Sequence, residues 1–379
     1  MTSRERLLAV LNRKIPDHVP VCPDLSNMVP AKMTGKPFWD IYLYEDPPLW
    51  KAYMDCVKYF DFDCLWDAYY LSIPVDSEDT GATDDIKTAI VFKNEERLVT
   101  QSFEMVNGKR KWSERVNVYY AANPPTGNVD PHAIRLPKEP DKFELVEIKN
   151  HYPTGEELLN VFISGLGDSG IVGVPCGISK LVHDEQQIYD FFDNPEKYYD
   201  LRDRLLARYE KLFMKLITLP CRPDFISTGC SGTLTHQSPQ TFRELGLPIV
   251  KKMTALAKKH GLPSHIHSCG MEKELVKICA EETDLTSIEP LEPPPMGDCD
   301  LKELKKLYGH KLVLKGNLHT TDVMLRGSVT DVIEASKRAI DDAAEGGGFI
   351  LSTGDQCGRD TPFENILAMI ETAKTYGKY

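Results

Sequence analysis

Short apolar runs alternating with helical stretches constrain this chain more than any other feature. The runs fall at Gly170–Val174, Phe225–Thr228, Ser264–His267, Leu285–Ile288, Lys311–Lys315 and Phe349–Ser352. Helical patterns separate them at Asp184–Phe192, Pro195–Leu219, Pro239–His260, Glu272–Glu282, Leu301–Leu307 and Thr330–Glu345, and Pro362–Tyr376 ends the series. Runs this short and this apolar fit strands buried on both faces, which implies a parallel sheet. Two earlier runs, Val19–Cys22 and Asp63–Tyr69, with helical patterns at Thr2–Asn12 and Leu49–Phe60, bring the strand count to eight. Eight strand–helix units predict a closed α/β fold, the (β/α)8 TIM barrel. No glycine-rich phosphate fingerprint follows the first strand, which argues against an open dinucleotide-binding sheet.

One stretch breaks the rhythm. Ala89–Phe92, Arg97–Phe103 and Trp112–Tyr120 are β-rich, and Asn107-Gly108 is a hairpin signal. Ala121–Asp141 is Pro-rich and polar. The region from about 76 to 150 therefore reads as a β-rich insertion after the second strand, and residues 1–379 as a single barrel domain carrying it. The 379 residues are 41% hydrophobic, enough for a large core. A formal net charge of −12 disfavours nucleic acid and anionic membrane as partners. It also disfavours a substrate with many carboxylates, unless a basic pocket is hidden inside. No apolar signal core follows Met1, and no stretch approaches a membrane span. The ten cysteines are scattered, so they read as reduced thiols or ligands in a cytoplasmic chain.

In a barrel the active site lies at the C-terminal ends of the strands. Strand five ends in His265-Ile-His267-Ser-Cys269-Gly270, strand six in Glu289, strand seven in Asn317-Leu-His319, and strand eight in Asp355-Gln-Cys357. Strand four runs into Cys230 and His236, strand one into Asp24 and Asn27, and strand two into Asp67 and Tyr69. Residues two apart in extended backbone face the same way, so His267 and Cys269 can share one ion. Cys357 reaches the same rim, and two thiolates with one imidazole suit zinc with a position left open. A lone His-x-Cys is often coincidence; the shared strand-end placement is what gives this one weight. His265 faces as His267 does, and spacing does not choose between them. Glu289 reads as a fourth ligand, a base or an ordinary rim carboxylate. Asp24 and Asp355 are further candidate catalytic acids, and Asn27, Tyr69, His236, Asn317 and His319 candidate substrate contacts. Cys279, among Leu275, Val276 and Ile278, reads as core; Cys299 reads as a loop residue, and Cys176 as rim or core.

At these residues the chain resembles the uroporphyrinogen decarboxylase superfamily, and within it the zinc-containing methyltransferases that work with corrinoid proteins. The matching pieces are Arg4-Glu-Arg-Leu with Asp17-His-Val-Pro20, Ser238-Pro-Gln-Thr-Phe242 with Leu247-Pro248, His267-Ser-Cys269-Gly270, and Gly316-Asn317-Leu318. The run Gly348-Phe-Ile-Leu-Ser-Thr-Gly, then Cys357 and Thr361-Pro-Phe-Glu-Asn365-Ile, is similar to the superfamily's ending. The resemblance implies the barrel, and zinc on His267, Cys269 and Cys357. Two departures point away from decarboxylation. The chain has Asp24-Leu-Ser-Asn27-Met where decarboxylases carry an arginine-rich motif, with no arginine between Arg13 and Arg97. It also has Cys357 where decarboxylases usually have a histidine.

The resemblance leads to the expectation of an enzyme that transfers a methyl group with a corrinoid (cobalamin) carried by a partner protein. The favoured direction is O-demethylation of a methoxylated aromatic by Co(I). The alternatives are a methylcobamide:thiol or methylcobamide:tetrahydrofolate methyltransferase, and a metal-free decarboxylase. Trp39, Tyr42, Tyr44, Trp50, Trp66, Tyr69 and Tyr70 offer rings for a flat substrate. Most of these rings are expected to serve the core or an oligomer contact, such as a homodimer's, rather than a substrate.

Overall fold

The structure is a computed structural model that describes residues 1–75, 86–148 and 152–379. Its packing divides the chain into two compact units, one of residues 1–24, 57–75 and 154–379, the other of 25–56 and 76–153.

The first unit holds a seven-stranded parallel sheet. Its strands are β1 (Cys64–Asp67), β7 (Gly170–Pro175), β8 (Phe225–Ser227), β9 (Ser264–His267), β10 (Ser287–Glu289), β11 (Val313–Leu318) and β12 (Phe349–Thr353), paired in that order. The expected first strand, Val19–Cys22, makes no regular strand because Pro20 and Pro23 lack N–H donors. It nevertheless joins both edges of the sheet. Val21 bridges to Leu351 of β12, Cys22 N–H donates to the Leu351 carbonyl at 2.8 Å, and Asp63 N–H donates to the Val21 carbonyl at 2.9 Å. The eighth position is thus filled by a hydrogen-bonded segment, and the architecture is TIM-barrel-like.

Helix α1 (Ser3–Leu11) closes one end of this barrel. Its buried Leu7, Val10 and Leu11 pack on Leu65, Ile171, Phe225, Val313 and Ile350, residues at or near the strand starts. The opposite, C-terminal end is therefore left for a site. Around the sheet run α5 (Gly155–Leu166), α6 (Glu185–Asp193), α7 (Pro195–Leu216), α8 (Pro239–Leu245), α9 (Leu247–Lys259), α10 (Lys273–Glu282), α11 (Leu301–Tyr308), α12 (Val329–Ala343) and α13 (Phe363–Tyr376). The helix expected over Pro239–His260 is broken at Gly246, because Pro248 cannot donate into a continuing helix. Helix α12 begins with a capping box in which Ser328 and Asp331 satisfy each other's backbone N–H. Ser328→Ala is expected to cost about 1 kcal/mol. A lowered thermal midpoint that Ser328→Thr restores is the check; an unshifted midpoint rules the cap out as a contributor.

The second unit contains α2 (Met28–Met33), α3 (Phe38–Tyr42), the first turns of α4 (Leu49–Phe60), and an antiparallel sheet. That sheet runs β5 (Thr126–Val129), β4 (Lys109–Tyr120), β3 (Arg97–Val106), β2 (Lys87–Lys93), β6 (Glu144–Leu145). It is the β-rich insertion expected from sequence; the expected ends of that region at residues 76–85 and 149–151 lie outside the described residues. Alternation sends Leu98 to a cluster with Trp39 and Leu43, and Val99 to one with Val116 and Val118. Asn107 and Gly108, both at positive φ (50° and 76°), make the two-residue turn between β3 and β4. Several aromatics considered for substrate stacking are used in packing. Trp39 and Tyr44 belong to the Leu98 cluster, and Trp66 stacks on Phe162 at 4.4 Å.

Among the described residues no helix is long and apolar enough to cross a membrane.

Candidate active site at the barrel mouth

Strand β9 delivers two histidines to the barrel interior at different depths. Its register with β10 sets His265 beside Ser287 and His267 beside Glu289. The deeper ring, His265, is fully enclosed; its Nδ1 meets Ser287 Oγ at 2.8 Å and its Nε2 approaches Glu289 at 3.1 Å. Burial, with Lys315 nearby, pushes its pKa down to about 3, so it stays neutral. His267 stands at the mouth, with Nδ1 3.4 Å from Glu289 Oε1 and Nε2 3.8 Å from Asp355 Oδ1. Of the two histidines that spacing left equivalent, His265 is thus the enclosed one and His267 the one at the mouth.

Glu289 is buried and already engaged. One oxygen serves the two imidazoles and the other is ion-paired to Lys315. It lies 3.4 Å from Nδ1 of His267, and Nε2 of that ring faces away from it, toward Asp355.

Asp24 and Asp355 lie on that open side. Among the described residues, the ligand atoms of Asp24, His267 and Asp355 form a group within 4.8 Å of one another. The β12 end and the Asp24 loop are tied together: Asp24 N–H donates to Thr353 Oγ1 at 3.0 Å, and Cys357 N–H donates to the Asp24 carbonyl at 2.8 Å. Asp355 is held at φ 110°, a conformation rare for a residue with a side chain and common at functional sites.

The two thiols differ in setting. Cys269 is half-buried and favours the protonated form of His267. Cys357 is fully buried, and burial beside Asp24 and Asp355 pushes its thiol up to about 12, countered partly by the Thr361 and Thr353 hydroxyls. Neither thiol belongs to the 4.8 Å group around His267. Gly270, at φ 89°, turns the chain after Cys269 so closely that a Cβ there would strike Thr235 Oγ1.

The mouth carries an excess of acid. Burial is the largest influence on His267 and opposes its protonation, yet Cys269, Asp24 and Asp355 together raise its pKa to about 9. Two more carboxyls complete the wall. Glu272 is buried with its pKa raised well above the ordinary value by desolvation, and Oε2 accepts from Leu291 N–H at 2.8 Å. Glu292 is likewise raised by desolvation and accepts from Gly270 N–H. A proton on His267 thus sits where the acidic group calls for positive charge. A nitrogen, two carboxylates and two nearby thiols are donors that a divalent transition metal accepts, zinc among them.

The remaining sequence candidates have other surroundings. Asn317 donates Nδ2 to the Leu291 carbonyl at 2.9 Å, and His319 Nδ1 accepts from Thr321 and Asp322 N–H at 3.2 and 3.0 Å. His236 is exposed, its ring against Gly232, and Tyr69 is 58% exposed beside Tyr70. Asp67 is half-buried and accepts from Ser227 Oγ at 2.8 Å. Asn27 lies in the second unit, at the start of α2. Sequence reasoning did not single out Lys315, Glu272, Glu292 or Lys180. Lys315 and Glu272 were read only as parts of a strand and a helix, and nothing in their spacing marks them as neighbours of His267.

Residues 228–376, less than half of the chain, match the family model for Uroporphyrinogen decarboxylase (URO-D). No curated protein matches the chain. Among solved structures, a methyltransferase from Methanosarcina mazei is similar over 99% of both chains, at 16% identity and a TM-score of 0.59. That likeness supports the fold. An uncharacterized protein from Parabacteroides distasonis (13% identity, 62% of this chain and 80% of that one, TM-score 0.30) is too distant to carry an argument. So is a type I 3-dehydroquinate dehydratase from Clostridium difficile (12% identity, 57% and 73%, TM-score 0.29). The resemblance to the uroporphyrinogen decarboxylase superfamily read from the sequence motifs is supported by the family match and by the similar fold.

Proposed function

We propose that this chain is a zinc-dependent methyltransferase that moves a methyl group from a methoxylated aromatic to Co(I) of a corrinoid carried by a partner protein. The observation that carries the reading is the His267 arrangement. Its Nδ1 side faces Glu289 at 3.4 Å, its Nε2 faces Asp24 and Asp355, and Cys269 adds to the groups that favour positive charge on it. The family match over residues 228–376 and the fold shared with a methyltransferase support it.

The residues that would hold zinc are His267, Cys269 and Cys357. Bound there, zinc supplies Lewis acidity toward the ether oxygen that leaves when the methyl carbon is attacked. Glu289 orients the His267 ring, and its ion pair with Lys315 keeps Glu289 in place. Asp24 and Asp355 flank the open side and orient the methoxy end of the substrate. The test is elemental analysis of purified protein, then methyl transfer to Co(I) cobalamin from a panel of methoxyarenes. About one zinc per chain with transfer is expected. Transfer from methyl-cobalamin to a thiol or to tetrahydrofolate instead would reverse the direction, and a metal-free protein that releases CO2 from an acid would be a decarboxylase.

Cys357→Ala is expected to lose most of the bound zinc. Retention in that variant, with loss in Asp24→Asn or Asp355→Asn, would make the oxygens the ligands. Binding must also fall as pH drops, because the His267 proton (pKa about 9) and the Cys357 proton (about 12) both leave when a metal binds. Zinc titrations at pH 6 and pH 8 read this directly; equal affinity at the two values contradicts ligation by these groups. The sign for stability runs the other way in the metal-free chain. With its folded pKa raised above the ordinary 6.5, His267 stabilises the fold below that value and loses the contribution as pH rises through about 9.

A further inference from the structure

Lys180 is a buried cation at the mouth that the machinery above does not use. It lies in the loop that follows β7 and is 7% exposed. Its Nζ donates to the Ser231 carbonyl at 2.7 Å, in the loop that follows β8. Among the described residues that carbonyl is its one hydrogen-bond partner, and no carboxylate lies within ion-pair distance. An ammonium has three donors, so two remain without a protein acceptor. Burying a charge that is only partly satisfied is costly, and an anion from outside relieves the cost.

The lysine is also held in place. Ser179 Oγ meets Thr233 Oγ1 at 2.6 Å, Gln237 Nε2 donates to the Ser179 carbonyl at 2.9 Å, and Thr233 Oγ1 donates to the Cys230 carbonyl at 2.7 Å. These bonds bolt the two loops together on either side of the Lys180–Ser231 contact. The loop that carries Ser231 is also bonded to the segment of the candidate ligands: Thr233 N–H donates to Ser268 Oγ at 3.1 Å, and Thr235 Oγ1 donates to the Cys269 carbonyl at 3.2 Å. Lys180 is therefore fixed to the loop that borders His267 and Cys269, and is positioned rigidly, as a recognition group needs to be.

We infer that Lys180 anchors a carboxylate of the substrate, so that the methoxylated aromatic taken by this site is an aromatic acid. The inference rests on the methyl-donor reading above and narrows it. The carboxylate accepts from the two open Nζ donors, and the ring then extends past Cys230 toward Cys269 and His267, where the methoxy group must lie. A chain of net charge −12 repels carboxylates at its surface, so one concealed lysine selects a monoacid and gives no purchase to a polyacid.

The probes are 4-methoxybenzoate and uncharged methoxybenzene, titrated calorimetrically into the zinc-loaded protein without corrinoid. Wild type is expected to bind the acid about 30-fold or more tighter than the neutral ether. Lys180→Met should bring that ratio near one, and Lys180→Arg should keep most of it. A wild-type protein without the preference, or one that binds neither probe, overturns the inference with no variant needed. A preference that survives in Lys180→Met overturns it as well. Failure of methyl transfer from every methoxyarene sinks the donor reading separately, since the binding ratio is measured without Co(I).

Discussion

Replacing His267 by alanine is expected to lower the rate of methyl transfer about a thousandfold or more while leaving the barrel folded. A metal that polarises a leaving oxygen contributes several kcal/mol at the transition state, and each 1.36 kcal/mol is about tenfold in rate. His267 is the side chain toward which Glu289 from one side and Asp24 and Asp355 from the other converge. Its loss therefore removes a proposed zinc ligand and the group that these carboxylates surround. The fold depends on it less. It stands at the last position of β9, while the apolar cluster that closes the barrel lies at the other end with α1. Circular dichroism, zinc content and the rate of Co(I) methylation should be measured on the same preparation. A folded, zinc-free His267→Ala protein that transfers methyl at near wild-type rate would show that the metal is structural, and the mechanism would fall. Cys269→Ala should behave alike, since that thiol is proposed as a ligand of the same zinc.

The legible part of the fold was the part with a single period. The strands β7 to β12 of the barrel are apolar runs bounded by helices, and each was found within a few residues of its position. Where the chain deviated, proline was the agent. Pro20 and Pro23 reduced the expected first strand to a bridging segment, and Pro248 divided an expected helix in two. Helix α5 was missed although Leu159, Phe162 and Leu166 make its buried stripe, because it adjoins the insertion and its polar lead-in hides the period. The helices of residues 28–42 are short, and their burial depends on tertiary neighbours rather than on a pattern of their own.

The candidate residues could be placed from the sequence, and their partners could not. Strand ends nominated His267, Cys269, Glu289, Asp24, Asp355 and Cys357, and all lie in the first unit at or near the ends of its strands. Sequence could not say that Glu289 is already occupied by Lys315, because a buried ion pair between adjacent parallel strands has no spacing of its own. Nor could it say that Asn317 Nδ2 and His319 Nδ1 are engaged with neighbouring backbone, or that His319 Nε2 is buried without a hydrogen-bond partner among the described residues. Lys180 was invisible for the complementary reason. A lysine is ordinarily a surface residue, and only the fold shows that this one is enclosed.

The largest loss of stability is expected from a residue far from the mouth, Arg6. Its guanidinium makes two bonds to Asp17, at 2.7 and 2.9 Å, one to Asp63 at 2.6 Å and one to the Met1 carbonyl at 2.8 Å. Asp63 is 1% exposed, and its second oxygen accepts Val21 N–H at 2.9 Å, so the same carboxylate secures the segment that joins β12 to β1. Arg6→Met keeps the volume and removes the charge, leaving Asp63 buried without its cation. Breaking a buried pair in this way costs about 3–5 kcal/mol. Replacing both partners, as Arg6→Met with Asp63→Leu, removes the orphaned charge and should recover part of the loss. The acid limb of stability should change too. The Arg6 hydrogen bond holds the Asp17 carboxyl well below the usual carboxylate range. A depressed carboxylate contributes stability above its unfolded pKa, about 4, and loses it as pH falls through the folded value. Without Arg6 that contribution shrinks, so the variant should lose less stability between pH 4 and pH 2 than wild type does. Urea unfolding of both proteins at pH 7 and across that acid range measures the two effects at once. A variant within 1 kcal/mol of wild type at pH 7 would mean that Asp63 finds water or a proton at little cost, and that the strand-joining segment does not depend on the pair.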